Sequence, residues 1–457
     1  MGLDKINRIN IGNGIYINFV ESDKFKTNHI GISIISRLDN SLKASKNALL
    51  AKVLKRGSKN YPTMADINKR LNYLYAAKIS AGVYKIGEAQ IIGLSADMLE
   101  NKYALDGTNI LDETIDILAD ILANPLTEKT GSGDCGFKSD YVEGEKINLT
   151  NDILAQINNK NAYAYQRCVE IMCKNERFSI NNLGTADDVK LIGGVNLYEH
   201  YKYILSSCAM EIFCVGKFSD KSGKKDLIVR KFKDLFKNIS RKDANDIEKY
   251  DSEIILKADY RGETTEEMEV NQGKLSVGFR TGVSNNSPDF INFVLFNSLY
   301  GASPTSKLFE NVREKLSLCY YCYTAVEAPK GMMTVLSGVE VENKQLAIDE
   351  ILKQLDEIKN GSFTAQEIED ARLAVINSYK GVFDNAGSIE HWYIKRLLCG
   401  NVKTPEEMID EINKVTREDV INSAEKITLD TIYFLKGTLL SNQNHDNTEN
   451  GESGENE

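Results

Sequence analysis

Few residues in this chain are placed to do chemistry. Cys319-Tyr-Tyr-Cys322 matches C-x-x-C, a spacing used in thiol–disulfide exchange or as half of a zinc site. Either use needs a helix N-terminus beside the thiols or a second cysteine pair. The motif falls instead on strand-patterned sequence, where residues three apart point to opposite faces. Cys168 and Cys173 have the wrong spacing for a second pair. A redox or metal role is therefore not expected here. The four histidines, His29, His200, His391 and His445, are scattered with no two near in sequence, and read as structural or surface residues. Arg313 and Tyr320 form a spaced pair. On periodicity alone, Arg313 meets a carboxylate near a helix C-terminus, where positive charge is favourable, and Tyr320 is an ordinary strand aromatic. Trp392, in an apolar helical stretch, reads as core. No glycine-rich phosphate loop and no Gly-x-Ser-x-Gly elbow occurs.

The elements that must carry these residues are legible from pattern. Leu299–Tyr320 reads as a helix end, a glycine turn, a second helix and a strand. Gly301 fits the position after a helix, where a left-handed backbone costs no Cβ clash. Ser303 suits the cap of the next helix and Pro304 its first position. Before this segment lie a strand at Lys274–Thr281 and a helix from Phe290. After it comes a hairpin through Tyr323–Ala325 and Met332–Ser337, turning at Pro329-Lys330-Gly331. An amphipathic helix with Ile348, Ile351, Leu355 and Ile358 on one face follows, and Thr364 with Glu367 forms a capping box for another.

The first half repeats this order. Strands are expected around Ile15–Phe19 and Ile30–Ile35, and helices around Lys46–Lys55 and Met64–Leu74. A hairpin covers Ile79–Val83 and Gln90–Leu94, and a helix covers Leu111–Ala123. Both halves close on a polar-capped helix and an apolar strand, Ile212–Val215 and Ile432–Leu435. The reading is an α+β class: two duplicated units, each a mostly antiparallel sheet packed with helices. The divisions are a unit at 1–218, a charged connection at 219–269, a second unit at 270–437 and an acidic, disordered tail at 438–457. A helix around Leu227–Phe236 is allowed within the connection.

At 457 residues there is ample length for two buried cores, and a net charge of −10 argues against nucleic-acid binding. No apolar run is long enough for a membrane span, and the N-terminus lacks a signal-peptide core. The eight scattered cysteines suit free thiols in a reducing cytoplasm.

Leu299–Tyr320 closely resembles the C-terminal half of insulinase/pitrilysin-type peptidases. There the same turn leads to an arginine and a tyrosine that grip the peptide beside a zinc site. The resemblance covers nearly the whole chain, weakly in the first half and strongly in the second. Active members carry His-x-x-Glu-His on a first-half helix: two histidines on one face bind zinc, and the glutamate deprotonates zinc-bound water. The matching turn here is Lys55-Arg56-Gly57-Ser58, followed by Tyr61-Pro62. Counting back puts the motif at Ala48-Leu49-Leu50-Ala51-Lys52. Ala48 and Lys52 replace the histidines, and Ala51 replaces the base. On the helix resembling the third-ligand helix, Tyr141–Ile153, Asp152 is the nearest acidic candidate. Three further stretches resemble a zinc-less bacterial branch: Lys24–Asn28, Leu74–Ala77 and Asn161–Arg167. Its members carry a label of association with 5-aminopentanol modification of elongation factor P.

The resemblance implies a non-catalytic cytoplasmic subunit with no metal, no cofactor and no catalytic residue of its own. Arg313 and Tyr320 would bind substrate, Arg313 at a carbonyl or developing oxyanion and Tyr320 through a second hydrogen bond. Its partners would be a zinc-containing homologue in a hetero-oligomer and a peptide or unfolded protein, with no nucleic acid and no membrane. A first-half strand edge at Ile30–Ile35 is expected to pair with the peptide. The alternatives are a peptide- or protein-holding module without proteolysis, and a hydrolase with an unorthodox site.

Overall fold

The computed structural model describes residues 6–129, 131, 133–219, 223–247, 250, 252–260 and 262–437. His445 and the tail from 438 lie outside them. The first half supplies β1 (Asn7–Gly12), β2 (Ile15–Glu21), β3 (Thr27–Arg37), β4 (Lys78–Ile86), β5 (Ala89–Leu99), a small ribbon of β6 (Thr127–Lys129) and β7 (Cys135–Phe137), and β8 (Ala209–Gly216). The second half supplies β9 (Gly262–Met268), β10 (Gly273–Arg280), β11 (Cys319–Glu327), β12 (Met332–Val339) and β13 (Thr428–Gly437).

Two sheets result, ordered β1-β2-β8-β3-β5-β4 and β11-β12-β10-β13-β9. Leaving β1 aside, the orders superimpose: β2-β8-β3-β5-β4 on β9-β13-β10-β12-β11. The one parallel pair falls at the same place in each, β2 with β8 and β9 with β13. The α+β class and its duplication are therefore written into the strand topology.

Each sheet has its own apolar core. Helices Ser41–Leu54 and Ile110–Ala123 pack on the first, and helices Phe290–Asn297 and Lys344–Lys359 on the second. The region 219–269 contributes to both. Helix Lys224–Lys237 buries Ile228, Phe232 and Phe236, spaced one turn apart, in the first core. Each such side chain adds about 1.5–3 kcal/mol when fully buried. Strand β9 alternates in exposure along its length and forms the edge of the second sheet. The Thr364–Glu367 capping box forms, with the Thr364 N–H donating to Glu367 Oε2 at 2.6 Å and the Glu367 N–H to Thr364 Oγ1 at 3.2 Å.

The halves exchange helices. Lys160–Met172, from the first half, lies on β10 and β13, while Ala386–Leu398, from the second, lies on β3 and β8. These strands are topological equivalents, so each sheet is covered on one face by the other half. Trp392 is in the apolar cluster this creates, its indole N–H donating to the Lys403 carbonyl at 2.9 Å.

Two expectations are corrected. Ile30–Ile35 is no edge: β3 is hydrogen-bonded along both sides, to β5 and to β8. The edges of the first sheet are β1 and β4. Gly301 does not end a helix in a left-handed turn. It sits in a wide, π-type turn at Ser298–Ala302, and Ser303 follows in extended backbone. Glycine is required there by close approach, since a Cβ would stand 2.6 Å from Thr324 Cγ2 and 2.8 Å from Leu308 Cδ1.

Candidate functional site

Arg313 and Tyr320 stand on adjoining elements of the second half. Arg313 is on a π-type helix, Leu308–Lys315, held down by the buried Leu308 and Val312. Its guanidinium lies over the Phe309 ring at 4.5 Å, with Nε 3.4 Å from Glu314, and the side chain stays about two-fifths exposed. Tyr320 is the second residue of the edge strand β11 and is 77% exposed. Tyr321, next to it, is instead tied across the halves, its hydroxyl donating to Asn161 Oδ1 at 2.7 Å.

The strand is irregular at this point. Cys319 pairs with Val339 and Cys322 with Ser337, so Tyr320 and Tyr321 together stand opposite Gly338. That is a β-bulge. It corrects the expectation that the two cysteines face opposite ways. The extra residue turns both to one face of the sheet. No sequence pattern announced it, because a bulge changes register without a residue type of its own.

In the first half, helix Ser41–Leu54 carries Ala48, Ala51 and Lys52, and helix Ser139–Ala155 packs beside it. Ala48 and Ala51 are buried in the apolar core. Lys52 Nζ is 2.7 Å from Asp152 Oδ2, and one turn on Arg56 is 3.4 Å from the buried Glu145. The two residues singled out at this face by sequence thus meet each other as an ion pair.

The three described histidines have protein partners. His29 Nδ1 is 2.8 Å from Asp97 and Nε2 is 2.6 Å from Glu390, across the halves. Burial alone would lower its pKa, but the two carboxylates outweigh it and raise it to about 9. His200 Nε2 is 2.7 Å from Asn47 Oδ1, and burial with two nearby lysines lowers its pKa to about 3. His391 packs on Tyr84, and burial lowers its pKa to about 4. Along the edge strand β4, a cavity of about 390 Å³ is lined by Ser80–Tyr84, His29, Glu390 and His391.

Pattern reading missed one polar cluster. Lys330, read as a turn residue, is fully buried, with Nζ 2.7 Å from Glu88 and 2.8 Å from Glu176. Arg280, also fully buried, is 2.6 Å from Glu176 and 2.8 Å from Asp430. Burial opposes the charge on Glu176, yet hydrogen bonds from Arg280 and Lys330 hold its pKa below the usual value. The partners are distant in sequence, so no spacing rule points to them.

Comparison with known proteins decides the family. The chain is 33% identical to "Probable inactive metalloprotease YmfF" of Bacillus subtilis, over 93% of this chain and 96% of that protein. Residues 196–375 match the family model described as the peptidase M16 inactive domain. The chain belongs to the M16, or insulinase, family, in its inactive branch.

A second relative, "Uncharacterized zinc protease YmxG" of Bacillus subtilis, is 24% identical over 71% of this chain and 76% of its own length. Among solved structures, a conserved protein from Enterococcus faecalis V583 is similar with a TM-score of 0.83 and 26% identity, covering 95% of this chain and 99% of that one. The M16 zinc does not fit the residues present. Two methyl groups offer no donor, and an ammonium already neutralised by Asp152 stands at a ligand position. Among the described residues, no group of three or more His, Cys, Asp or Glu side chains converges to hold a metal. Nor is any described helix long and apolar enough to cross a membrane.

Proposed function

We propose that this chain is a non-catalytic M16 subunit that pairs with a zinc-bearing homologue and holds the peptide that the homologue cleaves. The observation carrying this reading is the split between the two sites. The metal face is filled by alanines and the Lys52–Asp152 pair, while Arg313 and Tyr320 stay exposed and uncommitted to a buried partner. Arg313 would donate to a substrate carbonyl or the developing oxyanion, and Tyr320 would add a second donor. Strand β4, not β3, offers the first-half edge along which an extended peptide would add, beside the cavity lined by His29 and His391.

The test is co-purification followed by a paired assay. A His-x-x-Glu-His homologue should associate, and Arg313→Ala and Tyr320→Phe should each depress the pair's peptidase activity, by about 100- to 1000-fold for loss of an oxyanion donor. Absence of such a partner, or full activity with Arg313→Ala, overturns the reading. A holding module without proteolysis would bind peptide with unchanged chains on release. Any link to elongation factor P modification belongs to that alternative, and would show as capture of the factor or its modifying enzymes. Stoichiometric zinc on the purified chain, with peptidase activity lost on chelation, would instead favour an unorthodox hydrolase.

A further inference from the structure

Cys319 and Cys322 differ from the other cysteines in being placed together. Cys168, Cys173 and Cys214 are buried thiols, each pushed toward the neutral form by desolvation. The bulge in β11 puts Cys319 opposite Val339 and Cys322 opposite Ser337, two positions on one face of β12. Cys322 is buried in the second core, and Cys319 is half-buried at the rim of the same core. Ser337, paired opposite Cys322, donates to the Tyr321 carbonyl at 2.9 Å. The guanidinium of Arg313 acts on Cys319 from the preceding helix. The turn between that helix and the strand holds Ser317 at φ 50°, a left-handed backbone that a serine rarely adopts.

We propose that Cys319 and Cys322 are a redox-active dithiol that closes to a disulfide on exposure to a peroxide and so locks the bulge that carries Tyr320. The balance is simple. The Cys319 thiolate attacks one peroxide oxygen, the O–O bond breaks, and Cys319 becomes a sulfenic acid with hydroxide leaving. The Cys322 thiol then attacks that sulfur, forming the S–S bond, and water leaves with the Cys322 proton. Two thiols are oxidised by two electrons, and the peroxide ends as two waters. Contact with Cys322 is the largest influence lowering the Cys319 pKa, to about 7, with Ser337 and Arg313 adding to it against desolvation. Cys322 is pushed the other way, by Cys319 first and then by burial. The accessible member is thus the attacking thiolate and the buried one resolves. Cys319 is thereby biased toward the thiolate, the form that attacks a peroxide, and Cys322 toward the neutral thiol. The consequence for peptide holding rests on the substrate-binding reading of Tyr320; the disulfide does not.

The full chain would be treated with stoichiometric hydrogen peroxide, alkylated and digested with trypsin. Cleavage after Lys315 and Lys330 releases both cysteines on one peptide. The expected product is that peptide, unalkylated and two hydrogens lighter, restored by a dithiol reductant. Cys322→Ser should stop at a sulfenic acid on Cys319 that a carbon-acid probe captures. Without peroxide, Cys319 alkylation should show a pH midpoint near 7. Recovery of the peptide doubly alkylated after peroxide, while Cys135 is oxidised, overturns the dithiol. A disulfide that forms but leaves the pair's peptide affinity unchanged overturns only the lock on Tyr320. Loss of peptide binding in both redox states counts against the substrate reading alone.

Discussion

Replacing Lys330 with methionine tests whether the two halves are held by a buried ionic joint. Lys330 is fully buried at the turn between β11 and β12, and its ammonium meets Glu88 from the first half at 2.7 Å and Glu176 at 2.8 Å. Methionine keeps the stem and removes the charge. Glu176 retains Arg280, but among the described residues Glu88 is left with Arg177, at 3.9 Å and two-fifths exposed. Removing one member of a buried ion pair costs about 3–5 kcal/mol. A second route gives a ceiling. The orphaned carboxylate can take up a proton, and from an ordinary glutamate pKa of ~4.3 this costs about 4 kcal/mol at pH 7 and about 2 at pH 5.5. The folded variant then binds more protons than its unfolded chain, so its deficit against the parent must shrink as pH falls. Urea unfolding at both pH values, followed by the single tryptophan at the junction of the halves and by circular dichroism, reads this directly. A deficit below about 1 kcal/mol at pH 7, or one equal at both pH values, would refute the joint. Glu88→Gln in the variant background should recover much of the loss if Glu88 is the stranded charge.

Other outcomes follow from single contacts. The His29 clasp with Asp97 and Glu390 raises the folded pKa to about 9 against its burial, so its stabilisation is fully present below about pH 6.5 and is lost as pH rises through 9. The change is about 3 kcal/mol, and His29→Gln should flatten the denaturation midpoint between those pH values. Gly301→Ala adds a methyl where Thr324 and Leu308 already stand within 2.8 Å, and should cost about 1–3 kcal/mol by thermal melt. Lys52→Ala breaks a pair whose side chains are 29% and 53% exposed, and should cost less than about 1 kcal/mol. A much larger loss would mean that the pair is a structural joint and not a surface replacement for a metal face.

Much of the frame was legible because it rests on local rules. The helix Ile110–Ala123 follows from its apolar spacing, and the Thr364 cap from a hydroxyl with a glutamate three residues on. The position of β3 was not, because a strand's place in a sheet depends on which distant segments flank it. The same holds for Lys330: a lysine in a Pro-Lys-Gly turn looks solvated until three elements from both halves close over it.

By itself the sequence determined the α+β class, the repeated order of elements and the family likeness, which places Ala48, Ala51 and Lys52 where active relatives are expected to carry their zinc motif. Those are statements about residue types and near-neighbour spacing, which survive without knowing how the chain folds back. Tertiary structure alone decided that Lys52 meets Asp152, that helices are exchanged between halves, that β4 is an edge and β3 is not, and that Cys319 and Cys322 share a face. Each depends on register or on contacts between residues far apart in sequence, which pattern reading of a single chain does not encode.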